Sequence, residues 1–328
     1  MFCDSNSLRV LINNAGADRT PFLFAIDYAM ERAIFLPDPL HSKEVLWSIG
    51  SSSNILHPDN HLNRYPTPGI TILQAPSAEE YSRSFNVVME GLIRGDSFLT
   101  NLTRSTIVEA SPLEDIFHAS SAPYRLLIPD EFVCFSPETF VRISHYGTIT
   151  AYPMKGTIDA GMPDARQRLE NDPKELAEHY TIVDLLRNDL GIVAENVKVN
   201  RFRYFDRVST RRGDIFQTSS EIEGTLPNGW ENRLGEIIFS MLPAGSISGA
   251  PKEATLRIIS KAEVEPRGWY TGVFGYFDGH SLDSAVMIRC LQRHNDGSIR
   301  FHSGGGITVN SDCESEYNEL IQKIYLTR

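Results

Sequence analysis

The sequence predicts an α+β fold with largely antiparallel sheets. Three observations carry that expectation. Short runs rich in β-branched and aromatic residues recur along the chain, longer stretches with apolar residues every three or four positions lie between them, and the two kinds do not alternate strictly. A doubly wound parallel sheet would need strict alternation, whereas adjacent strand runs suit antiparallel pairing.

Taken in order, strands are expected at residues 9–13, 71–73, 105–109, 124–128, 133–135, 141–144, 197–200, 272–276, 285–291 and 299–302. The first helix is expected at 78–94, where Tyr81, Phe85, Val88, Met89 and Leu92 form one apolar stripe and Gly95 follows as a stop. Further helices are expected at 165–171, 173–189, 231–241, 251–261 and 314–326. No Pro/Ser/Gly-rich linker, internal repeat or low-complexity tract divides the chain. A length of 328 residues permits one large domain or two ordinary ones.

Composition narrows the function. Hydrophobic residues at 41% and charged residues at 22% describe a chain able to bury a substantial core. The formal net charge of −11 gives no global attraction for a phosphate backbone or an anionic membrane, so neither nucleic acid nor membrane is an expected partner. An anionic substrate would need a few placed cations, backbone N–H groups or a metal. Cys3, Cys134, Cys290 and Cys313 are scattered without zinc-ligand spacing, which suits free thiols in a reducing compartment. Residues 1–10 lack the basic start and apolar run of a secretory signal, and no stretch of about 18 apolar residues is present. A cytoplasmic location is the expectation.

Several residues have a chemistry suited to a site. Glu316 and Glu319, three apart on the last expected helix, share one face and suit a hard cation such as magnesium; the same spacing also suits a solvated acidic face. Gly304, Gly305 and Gly306 leave the main chain open to an anion, or form a bulge; they match neither a dinucleotide fingerprint nor a P-loop. Lys155, between Pro153 and Gly156, is either a surface lysine or an amine whose pKa burial lowers into nucleophilic range. Glu138, after Ser136-Pro137, is a general acid/base or a turn residue. His179 is expected to be structural. No G-x-S-x-G elbow or H-E-x-x-H pair is present.

Together these segments resemble the chorismate-utilising enzymes. The resemblance runs from about Tyr81 to Leu326. It rests on Gly95-Asp96 with Asn101-Leu102-Thr103, Ser136-Pro137-Glu138, Pro153-Met154-Lys155-Gly156-Thr157, and Glu178 with Ile182-Val183-Asp184-Leu185-Leu186-Arg187-Asn188-Asp189-Leu190. It continues through Leu242-Pro243-Ala244-Gly245-Ser246-Ile247-Ser248-Gly249-Ala250-Pro251-Lys252, the glycine run, and Glu316 with Glu319. The resemblance implies one large sandwich of two face-to-face, mainly antiparallel sheets with outer helices. Residues 1–75 would be a shortened N-terminal part and 76–328 the chorismate-binding catalytic region of a single domain.

It also implies roles. Glu178, Glu316 and Glu319 match magnesium ligands. Thr157, Ser246, Tyr270, Arg289, Gly304, Gly305, Gly306 and Lys323 match the substrate pocket, with the cations and glycine N–H groups on carboxylates. Lys155 points to the branch that aminates chorismate to 4-amino-4-deoxychorismate, where a lysine is proposed to add at C2 while the C4 hydroxyl leaves; Glu138 would relay protons. Ammonia would come from a separate glutamine amidotransferase subunit, since no Cys-His-Glu glutaminase module is present in the sequence. An anthranilate-forming component and a non-catalytic subunit that binds chorismate or docks an amidotransferase are the alternatives. Two departures stand out: Leu99, where isochorismate-type members need a water-activating lysine and amine-transferring members usually carry glutamine, and Gln217, where many relatives have histidine.

Overall fold

The computed structural model describes residues 1–55, 68–210 and 213–326, so residues 56–67 of the expected N-terminal part, and 211–212 and 327–328 of the expected catalytic region, lie outside it. Two large antiparallel sheets carry the fold. From edge to edge, one runs Phe2–Cys3, Ala33–Pro37, Phe22–Ile26, Val273–Phe277, Leu282–Val286, Thr139–Ile143, Thr148–Ala151, Gly213–Thr225 and Met154–Asp159; Glu195–Thr210 also pairs with Gly213–Thr225. The other runs Gly249–Ala250, Leu99–Ala110, Ile299–Ile307, Cys290–Arg293, Phe132–Ser136, Tyr124–Ile128, Leu46–Ile49 and Ser52–Ser53, with Ile70–Gln74 also on Leu99–Ala110. This is the expected α+β sandwich, and strands from the first 75 residues belong to both sheets.

The core follows from two-sided burial of the strands. Leu23 and Ala25 face inward with Trp47, Leu126, Phe132, Phe274 and Tyr276, which come from both sheets. Their neighbours Phe22, Phe24 and Ile26 face outward onto helix Ser5–Ala17 and helix Leu234–Ser240, through Leu8, Ile12, Leu234 and Ile238. Each leucine, isoleucine or phenylalanine among them contributes roughly 1.5–3 kcal/mol by leaving water. Over the outer face of the second sheet, helix Ala78–Ile93 packs Tyr81, Phe85, Val88 and Leu92 against Leu102, Ile258 and Leu320. A capping box starts that helix: Ser77 Oγ accepts from Glu80 N–H while the Glu80 carboxylate accepts from Ser77 N–H, and Gly95 follows at φ 79°.

Several local expectations are corrected. Residues 9–13 are not a strand but the middle of helix Ser5–Ala17, because Leu8 and Ile12 bury on one face and Asp4 caps the start. The helix expected at 231–241 begins as a 3-10 turn, Trp230–Arg233, and becomes α-helical at Leu234. The single strand expected at 285–291 is two strands, Leu282–Val286 in one sheet and Cys290–Arg293 in the other. Strands Phe22–Ile26, Ala33–Pro37, Leu46–Ile49, Thr148–Ala151, Met154–Asp159 and Gly213–Thr225 are not anticipated. Phe22–Ile26 shows why: with both faces covered it has no polar alternation to read.

The chain passes between sheets at two short crossings. Phe132–Ser136 lies in one sheet and Thr139–Ile143 in the other, with Pro137 and Glu138 between them. Met287, Ile288 and Arg289 make the second crossing, and Arg289 takes a left-handed φ of 56° there. No helix among the described residues is long and apolar enough to cross a membrane.

Candidate active site

A cavity of about 690 Å³ opens between the two sheets, and both crossings reach it through Glu138 and Arg289. Lys155, Glu178, Ser246, Tyr270, Gly304, Gly305, Gly306 and Lys323 also line it, so residues far apart in sequence converge on one space.

Lys155 lies on the edge strand Met154–Asp159. Pairing with Gly213–Thr225 slips between Met154 and Thr157: Lys155 and Gly156 together oppose Thr218 alone, and Gly156 accommodates the bulge at φ 91°. Met154 and Lys155 both line the cavity, whereas Thr157, opposite Gln217, is exposed and does not line it. The expectation that Thr157 lines the substrate pocket is therefore corrected. Gln217 donates through Nε2 to Met154 Sδ at 2.8 Å and so supports a cavity side chain from behind.

Lys155 Nζ pairs with Glu178 Oε2 at 2.8 Å. Burial acts to lower its pKa, but the negative charges of Glu178, Glu175 and Glu319 outweigh burial and hold it above the ordinary value. That direction favours the charged ammonium over the pKa-lowered amine, which is one of the two sequence readings of this position. Its carbonyl accepts from Thr218 Oγ1, and His179, fully buried, bridges the Ser220 hydroxyl through Nε2 at 2.7 Å. That is a structural placement for the histidine.

On the other side of the cavity, Ser246 Oγ donates to Glu138 Oε1 at 2.5 Å. Burial pushes the Glu138 carboxyl above the ordinary range and this hydrogen bond only partly opposes it. Ser246 sits on the single turn Gly245–Ser248, which Asp189 fixes by accepting Gly245 N–H at 3.0 Å while pairing with Lys252 at 2.9 Å. Sequence reasoning gave Asp189 no role; its signal was a carboxylate on the apolar stripe of Ile182, Leu185 and Leu186.

The glycine run belongs to strand Ile299–Ile307, with Gly304, Gly305 and Gly306 opposite Thr103, Leu102 and Asn101. A Cβ on Gly304 would lie 2.5 Å from Leu102 O, and one on Gly306 would lie 2.9 Å from Leu99 Cδ1. On the other edge, strand Cys290–Arg293 pairs only as far as Phe301, which leaves that side of the glycine run without a strand partner among the described residues. Arg289 stands there. Its guanidinium donates to Lys323 O at 3.0 Å and Tyr325 Oη at 3.1 Å, and its buried Nε has no hydrogen-bond partner. Lys323 Nζ donates to Gly304 O at 2.9 Å and pairs with Glu319 at 2.7 Å. Tyr270 is buried, which raises its phenol to about 12.

Glu316 and Glu319 approach the same place from helix Cys313–Gln322: a Cβ on Gly305 would be 3.5 Å from Glu316 Oε2 and 3.9 Å from Glu319 Oε1. Burial, and then the charge of Glu319, raises the Glu316 carboxyl. Glu175 is a further carboxylate that the sequence reading passed over, although it lies one turn before Glu178 on helix Pro173–Gly191. Its Oε2 is buried without a hydrogen-bond partner, and burial plus the Glu178 charge raise its pKa. Hard oxygen donors crowded beyond their local counter-charge suit a divalent cation. As they stand, no three acidic, histidine or cysteine side chains among the described residues converge as a ligand set. Glu178 and Glu319 are each held by a lysine, which an ion would displace.

His302 stacks on Tyr270 at 5.3 Å and is fully enclosed, which lowers its pKa to about 3. A histidine that stays neutral when folded but titrates near 6.5 when unfolded makes the unfolded state bind more protons below that pH, so stability falls as pH drops from about 6.5 toward 3. Urea unfolding of the unmodified protein and of His302→Gln at pH 7 and pH 5 is expected to show the unmodified protein losing about 2 kcal/mol more than the variant. Equal losses would exclude this contribution.

The chain belongs to the chorismate binding enzymes, whose family model matches residues 31–327. Among relatives, an uncharacterised PabA-like protein of Pasteurella multocida is 48% identical over 317 residues, covering 96% of each chain. Anthranilate synthase component 1 of Synechocystis is 32% identical over 274 residues, covering 75% of this chain and 52% of its own. Aminodeoxychorismate synthase component 1 of Bacillus subtilis is 31% identical over 270 residues, covering 76% and 55%. This chain thus corresponds to about half of each of those two. A solved structure of a putative 2,3-dihydroxybenzoate-specific isochorismate synthase, DhbC, from Bacillus anthracis has the same fold, with a TM-score of 0.73 at 18% identity over 99% of this chain and 88% of that one.

Proposed function

We propose that this enzyme acts on chorismate by amination, forming 4-amino-4-deoxychorismate with ammonia supplied by a separate glutamine amidotransferase. The observation that carries this reading is Lys155 lining the cavity with its Nζ on Glu178, in the same space as the buried acid Glu138. Similarity to both aminodeoxychorismate and anthranilate synthases fits a chorismate aminator, and Lys155 favours the first.

The residues divide the work. Arg289, Lys323 and the free edge of the glycine run face one end of the cavity, suited to a carboxylate of the dianion. Glu178, Glu316 and Glu319 would hold magnesium, with Glu175 beside them; bound there, the ion would supply positive charge to a substrate carboxylate and to the departing hydroxyl. Lys155 must lose its proton before it can attack. Its amine nitrogen then forms a bond to C2, both conjugated ring double bonds shift (C1=C2 to C1=C6 and C5=C6 to C4=C5), and the C4–O bond breaks with a proton delivered by Glu138 to give water. Ammonia adds at C4, both double bonds return, the C2–N bond breaks, the proton lost by the new ammonium restores Lys155, and the proton that Lys155 first released to solvent is returned to Glu138. Leu99 and Met154 supply apolar wall rather than a base for activating water.

Incubation with chorismate, magnesium chloride and ammonium chloride is expected to yield 4-amino-4-deoxychorismate, identified by mass and retention, without pyruvate. Anthranilate with equimolar pyruvate would overturn the reading in favour of an anthranilate-forming component.

A further inference from the structure

Arg267 contacts no open part of the cavity, yet it touches three of its walls. The side chain is buried, and all five of its N–H donors are used. Nε and Nη2 make a two-pronged pair with Glu263 at 2.8 Å each, Nη1 donates to Ile247 O at 2.9 Å and to Thr271 Oγ1 at 3.2 Å, and Nη2 also donates to Asn101 O at 2.8 Å. The outer face of the guanidinium lies 4.3 Å from the centre of the Tyr28 ring.

Each acceptor borders a functional residue. Ile247 follows Ser246, which holds Glu138. Thr271 follows Tyr270, and Asn101 is opposite Gly306 in register. Glu263 extends the network by accepting both N–H (2.9 Å) and Oγ1–H (3.0 Å) of Thr103, the residue opposite Gly304. One rigid planar cation therefore sets the spacing between the acid/base wall and the wall offering N–H groups. Lysine, with three donors on a flexible stem, cannot reproduce it.

We propose that Arg267, locked by Glu263, is a positioning residue that fixes the chorismate-binding geometry of the cavity. This inference rests on the cavity being the chorismate site, and not on the amination chemistry. Arg267→Lys is expected to raise both the calorimetric Kd for chorismate, measured with magnesium chloride present, and its KM by about tenfold or more, while the KM for ammonium stays within about twofold. Glu263→Gln keeps the size and most acceptor positions, and is expected to raise the chorismate Kd by about threefold to fivefold. A folded Arg267→Lys protein with a lowered melting temperature but chorismate Kd and KM within about twofold of the unmodified protein would overturn the proposal. Should Arg267→Lys fail to fold, an unchanged Kd in Glu263→Gln overturns it equally. Absence of amination by the unmodified protein would count against the proposed reaction alone, because the calorimetric comparison reads chorismate binding directly.

Discussion

Lys155→Ala is expected to lose aminodeoxychorismate formation by on the order of 10³-fold or more, equivalent to about 4 kcal/mol of transition-state stabilisation. The side chain is on an edge strand and partly exposed, so its removal leaves the sandwich intact. Charge alone is separated from covalent chemistry by Lys155→Arg. Arginine keeps a cation beside Glu178 but remains protonated and cannot attack C2. If Lys155 acts as a nucleophile, Arg and Ala variants are comparably inactive in a chromatographic product assay with saturating ammonium chloride. An Arg variant working at the unmodified rate would reduce Lys155 to an electrostatic partner of the acidic cluster, and an Ala variant at that rate would remove it from the mechanism.

Glu138→Gln is expected to lower kcat by about 10²–10⁴-fold with little change in the KM for chorismate. The amide is nearly isosteric and its oxygen still accepts from Ser246, so the polar contact and the packing survive while proton transfer does not. Burial shifts the carboxyl toward its protonated form, the form that the proposed delivery of a proton to the departing hydroxyl needs. A Gln variant with kcat within about twofold of the unmodified protein would assign the proton to another donor. A large rise in KM with unchanged kcat would instead make Glu138 a binding group.

Much of this was legible in the chain itself. The stripe Tyr81, Phe85, Val88, Leu92 with Gly95 behind it determined a helix, because side chains three and four apart share a face whatever packs on it. The motifs around Lys155, Glu178, Ser246 and Gly304 to Gly306 determined the family, since these residue types carry their chemistry as identities, and all of these residues line one cavity. The acidic balance meant that an anionic substrate would need placed cations and N–H groups, and Arg289, Lys323 and the glycine run line one cavity.

Other features belong to the tertiary structure alone. Residues 285–291 read as one strand, yet the chain crosses between sheets there and Arg289 turns into the cavity at the crossing. Glu138 owes its place to the other crossing. Beside the bulge at Gly156, Lys155 lines the cavity and Thr157 does not, Glu175 joins the acidic cluster, and three carboxylates raise the lysine pKa that burial alone would lower. Local patterns report which residues can share a face, because that depends on backbone geometry over a few positions. Pairing register, crossings between sheets and the charges a side chain finally meets depend on strands distant in sequence, and the folded arrangement decided them.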